Sequence, residues 1–160
     1  GTHTGTHLDT PAHIIKEGKT LSDFPLSSFM GKAIKIDEKT KLNFDLKNID
    51  GIIFETRWSR FYQDSKIYFG NSRPKIPIRL INKLIKTNLK FFGCDLPSVD
   101  STGSEDKPIH NALLSNDIII YESLSSLDKI PTLKKFDFIG LPLYLDKLEA
   151  SPVRAIAVIK

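Results

Sequence analysis

The sequence predicts an α/β domain built on a mixed β-sheet with few helices. Three observations carry that expectation. The chain has 160 residues, which fits one domain over 1–160 with a sizeable core. Short apolar runs outnumber stretches with helical spacing. A strand–helix–strand unit also reads directly from residues 51–94. An apolar run at Ile52, Ile53 and Phe54 leads to a helix-spaced stretch and then to a second run at Phe91 and Phe92.

The elements follow in order. Residues 3–13 are too rich in Gly, Thr and Pro for a helix and read as a loop, entered from a strand. Gly5 permits a tight turn, and Pro11 holds Thr10 extended. Residues 21–30 read as a short helical turn plus loop, and 32–37 alternate as a strand. Ile49, Asp50 and Gly51 turn the chain into a buried strand that ends at Glu55, read as a partly buried structural carboxylate. Residues 57–71 form a long aromatic loop, and loops of this length are often functional. From Ile78 to Ile85 the apolar positions approach helical spacing, and Pro77 suits a first turn, so a helix is expected over 76–88. A strand follows over 90–94, then a polar loop over 97–108. There Asp100, beside Ser98 and Ser101, reads as a turn cap rather than a ligand. A short helix over 109–115 carries His110, and a strand over 117–121 delivers Glu122. Residues 126–130 read as a turn or short helix. Strands over 136–144 and 153–159 are joined by a polar connection.

Composition excludes several classes. The net charge of +4 comes from scattered lysines, among them Lys32, Lys35, Lys39, Lys41, Lys47, Lys66 and Lys75, read as a solvated surface. Nucleic-acid binding calls for a clustered basic face with interleaved aromatics, so no such partner is expected. No apolar stretch is long enough to span a bilayer, so none is expected with a membrane. Cys94 is the single cysteine, which rules out an intrachain disulfide and fits the reducing cytoplasm. Its apolar neighbours make it a buried, inert thiol.

Chemistry concentrates at the start. His3, His7, Asp9 and His13 form His-x3-His-x-Asp-x3-His and hold three of the four histidines. Crowded imidazoles need something to share their lone pairs, and a divalent metal is the usual answer. In an extended segment His3, His7 and Asp9 face one side, because their spacings are even. The fourth histidine, His110, is followed twelve positions later by Glu122. On local pattern alone, those two are ordinary helix and strand-end residues.

The run HTGTHLDTPAH resembles the signature of the metal-dependent cyclase family, which includes bacterial kynurenine formamidases (arylformamidases) and isatin hydrolases. TRWSRFY resembles the family's Thr-x-Trp-Ser-Arg segment, and FFGCDLPSVD its Gly-x-Asp-x-Pro-Ser-x-Asp segment. The His110 to Glu122 region and the terminal SPVRAIAVIK also match, so the resemblance covers nearly the whole chain in order.

The resemblance implies a swivelling β/β/α fold and a metal-dependent hydrolase of carbon–nitrogen amide bonds. The activity is most like an arylformamidase, which converts N-formylkynurenine to kynurenine and formate. Alternatives are an isatin hydrolase-like opening of a cyclic amide, or a catalytically idle metal-binding domain. His3, His7 and Asp9 would hold one ion, and Asp9 would bridge to a second held by His110 and Glu122. His13 matches the proton donor and acceptor; a third ligand or an orienting residue are its alternatives. The ion set would be one or two Zn2+, with Mn2+ also compatible. Trp58, Arg60, Phe61, Tyr68 and Phe69 would either line a pocket for an aryl substrate or pack the long loop. Two positions depart from the family: Glu55, where Arg is frequent, and Thr10, where Ala is common. Family members carry a further N-terminal segment, so a fragment with an exposed sheet edge is expected. A homodimer is also implied.

Overall fold

Eight strands form a single mixed sheet in the order β7-β1-β5-β4-β3-β2-β6-β8. The computed structural model describes residues 1–41 and 43–159. Lys160, the last residue of the SPVRAIAVIK run, lies outside them. The centre is parallel. β2 (Met30–Asp37) pairs with β3 (Gly51–Glu55), β3 with β4 (Phe91–Cys94), and β4 with β5 (Ile119–Glu122). Both flanks are antiparallel. β1 (His7–Asp9) lies between β5 and β7 (Ala150–Pro152), and β6 (Lys135–Ile139) between β2 and β8 (Ile156–Val158). The expected mixed sheet with few helices is therefore present, and its β3–helix–β4 unit is the one read from the sequence.

Parallel strands need crossovers that cover the sheet, so the central strands are buried on both sides. Every residue of β3, β4 and β5 is buried. Alternation then splits the core in two. Ile52, Phe54, Phe92 and Ile120 pack on one face against Leu80, Ile81 and Leu84 of α2 (Ile78–Leu84) and against Leu113 of α3 (Pro108–Leu114). Ile53, Phe91, Ile119 and Tyr121 point to the other face, where Leu8, Phe136 and Phe138 meet them. At Gly51 a Cβ would sit 1.8 Å from the Phe91 ring, so only glycine fits there.

Several expectations shift. Residues 7–9 are not loop but an interior strand, and the polar connection after 144 contains β7. Both strands have three residues, too few to display a period. The 136–144 strand stops at Ile139, and Leu143 and Tyr144 beyond it are exposed. The helix over 76–88 closes at Leu84, whose carbonyl accepts the Thr87 hydroxyl at 2.6 Å. The aromatic loop is ordered by a 3-10 turn (Trp58–Phe61) and a one-turn helix α1 (Ser65–Tyr68), whose first amides donate to the Asp64 carboxylate.

One lysine contradicts the solvated-surface reading. Lys35 is buried, with Nζ 2.7 Å from Glu55 Oε2 and 3.2 Å from the Leu127 carbonyl. The cause is its place on β2, where Glu55 of β3 and the turn at Leu127 close over the amine. Glu55 is structural as expected, and fully enclosed. Among the described residues, no helix is long and apolar enough to cross a membrane.

Candidate metal centre

Strand geometry assembles the site. His7 and Asp9 lie two apart on β1 and project to one side, while Leu8 between them enters the core. The antiparallel register sets His7 directly opposite Glu122, the last residue of β5. His7 Nε2 is 3.4 Å from Glu122 Oε2 and 3.6 Å from Asp9 Oδ1. Helix α3 brings His110, with Nε2 3.4 Å from Glu122 Oε1 and 3.7 Å from Asp9 Oδ2. His3 Nδ1 reaches within 2.9 Å of Asp9 Oδ1. A 3-10 turn (Pro11–His13) after β1 returns His13, with its ring centroid 4.5 Å from that of His3 and 5.4 Å from that of His110. The structure thus brings all six sequence-derived residues together.

Each of three imidazoles has its outer nitrogen engaged. His7 Nδ1 lies 2.8 Å from the Gly5 carbonyl, which a left-handed Gly5 (φ 61°) turns towards it. His110 Nδ1 lies 2.7 Å from Asp100 Oδ2, and His3 Nε2 lies 3.2 Å from Glu149 Oε1. The other nitrogens, His7 Nε2, His110 Nε2 and His3 Nδ1, converge on the two carboxylates.

The carboxylates differ from each other. Glu122 Oε1 accepts the Val99 amide at 2.7 Å. Asp9 is fully buried, and no donor of good alignment meets either of its oxygens; only imidazole nitrogens lie beside them, His3 Nδ1 at 2.9 Å. A buried ionised carboxylate so placed is costly unless a cation neutralises it. Donor atoms of His3, Asp9 and His13 lie within 4.8 Å of one another, as do those of His7, Asp9 and Glu122. Asp9 belongs to both groups, so the donor set fits a divalent cation, or two sharing Asp9. The grouping differs from the one the resemblance implies: His7 sides with Glu122, and His13 with His3.

Charge is redistributed accordingly. Burial opposes charge on His110, but Asp100, Asp9 and Glu122 outweigh it and push its pKa up to about 11. His7 is also raised, with Glu122 and Asp9 overcoming burial, and His3 is raised mainly by Asp9. Asp9 and Glu122 resist burial and fall below their ordinary values because imidazoles surround them. His13 moves the other way. Burial, then His3, His110 and Lys107, lower its pKa against the pull of Asp9.

The cluster opens into a cavity of about 360 Å³. Trp58, Phe61, Tyr68 and Phe69 do not line it. Trp58 is buried against Phe61 and donates its Nε1–H to the Tyr68 carbonyl at 3.0 Å, Tyr68 is buried, and Phe69 is mostly exposed. These aromatics pack the loop, the plainer of their two readings.

Sequence reasoning missed the supporting carboxylates. Asp100 was read as a turn cap. It does accept the Ile109 and His110 amides at 2.9 and 3.1 Å, but it also holds the His110 ring. Asp95 takes the Thr56 amide and hydroxyl at 2.8 and 2.7 Å, tying the CDLPSVD segment to TRWSRF. Glu149 gave no signal within its polar connection. Thr10, the departure from Ala, fastens it: the Thr10 amide and hydroxyl both donate to the Glu149 carbonyl at 2.8 Å.

Comparison with known proteins places this arrangement. Residues 1–101 match the Cyclase family model, described as "Putative cyclase". The kynurenine formamidase of Salinibacter ruber is 32% identical over 168 residues, covering 97% of this chain and 75% of that protein. That of Geobacillus thermodenitrificans is 35% identical over 163 residues, covering 96% and 75%. Isatin hydrolase A from Ralstonia solanacearum superposes with a TM-score of 0.82 over 100% of this chain and 73% of its own, at 22% identity, and so shares the fold. The family-model match over residues 1–101 and relatives at 32 and 35% identity over nearly the whole chain lead to one conclusion: the chain belongs to the Cyclase family.

Proposed function

We propose that this chain is a metal-dependent hydrolase of a carbon–nitrogen amide bond, most like an arylformamidase. His3, His7, Asp9, His110 and Glu122 hold the metal, and His13 is the acid/base. The observation that carries the reading is Asp9, a fully buried carboxylate whose two oxygens meet no well-aligned donor among convergent imidazoles. A divalent ion bound there supplies an acidified water and polarises the scissile carbonyl. The ion is zinc, one or two per chain, with manganese as the alternative, since the donors are nitrogen and oxygen without thiolate.

The protein's residues divide the remaining work. Gly5, Asp100 and Glu149 fix the ring orientations of His7, His110 and His3. His13, with its lowered pKa, is neutral near pH 7. It accepts a proton as water attacks the carbonyl carbon and returns it to the departing nitrogen. The carbon–nitrogen bond breaks, leaving a carboxylic acid and an amine; for N-formylkynurenine these are formate and kynurenine. The relatives' names favour such a linear aryl formamide over a cyclic amide such as isatin. The substrate is thus a small molecule. The enzyme works in the cytoplasm as a homodimer, for which exposed Ile156 and Val158 on the β8 edge offer apolar surface.

A His13→Ala variant loaded with zinc tests this. Formanilide turnover should fall by roughly 10²–10⁴-fold while zinc content holds. Parent-like turnover would remove His13 from the chemistry, and faster opening of isatin than of formanilide would select the cyclic-amide reading.

A further inference from the structure

We propose that Arg73 and Lys107 make the cavity selective for amide substrates that carry a carboxylate. The inference rests on the hydrolase reading and specifies its substrate class. Both side chains line the same cavity as His3, His7, Asp9, His13, His110 and Glu122.

Arg73 is half-buried. Its Nη2 donates to Thr102 Oγ1 at 2.7 Å and to the Asp100 backbone carbonyl at 3.3 Å. No carboxylate lies within ion-pair distance of it among the described residues. A guanidinium has five N–H donors in a planar fork, a shape that matches a carboxylate in bidentate fashion. Most of that fork is unspent here. Lys107 precedes α3 in a left-handed conformation (φ 38°), and its side chain likewise has no ion-pair or hydrogen-bond partner among the described residues. Its charge is felt at His13, and that of Arg73 at Glu122, so the two cations reach different members of the cluster. Lys35, Lys90 and Lys19 are paired, with Glu55, Asp50 and Asp117, and many surface cations among the described residues have no ion pair; Arg73 and Lys107 stand apart from those by lining the metal cavity.

The rest of the wall points the same way. Ser98, Ser101, Thr102 and Ser104 present hydroxyls, and among the described residues its aromatic rings are all imidazoles. Such a wall offers a ring no phenyl or indole face to stack on, although Pro97 and the side-chain stems leave apolar surface in it. Three carboxylates line the cavity: Asp9, Asp100 and Glu122. Arg73, Lys107 and a single divalent ion together outweigh them, so the loaded cavity is positive and draws anions.

The test compares 2-formamidobenzoate with neutral formanilide, using zinc-loaded parent, Arg73→Gln, Arg73→Lys and Lys107→Gln proteins. The parent should favour the anion by about tenfold or more in kcat/KM, the scale of a charge-assisted hydrogen bond. The preference should shrink with added salt and fall about tenfold in Arg73→Gln and Lys107→Gln, mainly through KM. Arg73→Lys should restore part of it, which a merely structural role for Arg73 would not require. No preference in the parent, or equal losses on both substrates in the Gln variants, overturns the proposal. If neither compound is hydrolysed, the formamidase reading fails, and equilibrium binding of benzoate against benzamide decides this one. A benzoate advantage lost in Arg73→Gln supports it; equal binding overturns it.

Discussion

Two clusters of buried charge lie in the same sheet and are resolved in opposite ways. At β2 and β3, Lys35 and Glu55 are each 4% exposed and meet at 2.7 Å, with the Leu127 carbonyl taking another amine proton. At β1 and β5, Asp9 and Glu122 are just as deep, at 0% and 4% exposed. There Glu122 has one amide donor and Asp9 none, and the neighbours are imidazoles aimed inwards. The first cluster closes on itself, and an amine has taken the place a ligand would need. The second faces its negative charge with imidazoles, whose protons a metal ion can replace. The contrast teaches that buried charge marks a functional site when its partners' protons can give way to a metal, not when it is merely buried.

Three experiments would break or sharpen that contrast. The largest effect is expected at the closed pair. Lys35→Met strands Glu55 and should cost about 3–5 kcal/mol in denaturant unfolding, without changing zinc content. Adding Glu55→Met should recover most of the loss. A single-variant cost well under about 1 kcal/mol would mean the pair does not neutralise buried charge. Next comes the open cluster's support. Asp100→Asn should weaken zinc affinity by roughly 10–100-fold in a competition titration, with the fold kept; unchanged affinity would make Asp100 a helix cap alone.

The smallest effect is in pH. His3, His7 and His110 have raised folded pKa values, His110 to about 11. Stability from their protonation is complete below the unfolded value near 6.5 and is lost as pH rises through the folded values. Metal binding displaces those protons. The Tm gap between zinc-loaded and chelator-treated protein should therefore widen from pH 6 to pH 9. A constant gap would mean that the histidines are not protonated in the metal-free cluster.

Legibility divided along the range of the forces involved. The donor cluster at 3–13 and the strand–helix–strand unit were readable because local spacing carries both. The strand at 7–9 was read as loop because Gly5 and Pro11 flank it and three residues display no period. Lys35 was read as surface because a lone lysine in an alternating strand looks solvated until Glu55 and the Leu127 turn close over it. Glu149 was invisible because its links to the site, through Thr2, His3 and Thr10, cross most of the chain.

By itself, then, the sequence determined the donor types, the two-residue step that turns His7 and Asp9 to one side, and the strand–helix–strand unit of a mixed sheet. Those follow from side-chain chemistry and backbone geometry over a few residues. Only the tertiary structure decided that Glu122 faces His7, that Asp100 and Glu149 hold the outer nitrogens, and that Asp9 has only imidazole nitrogens beside it. Strand register and burial are settled by packing between distant segments, and no local period encodes them.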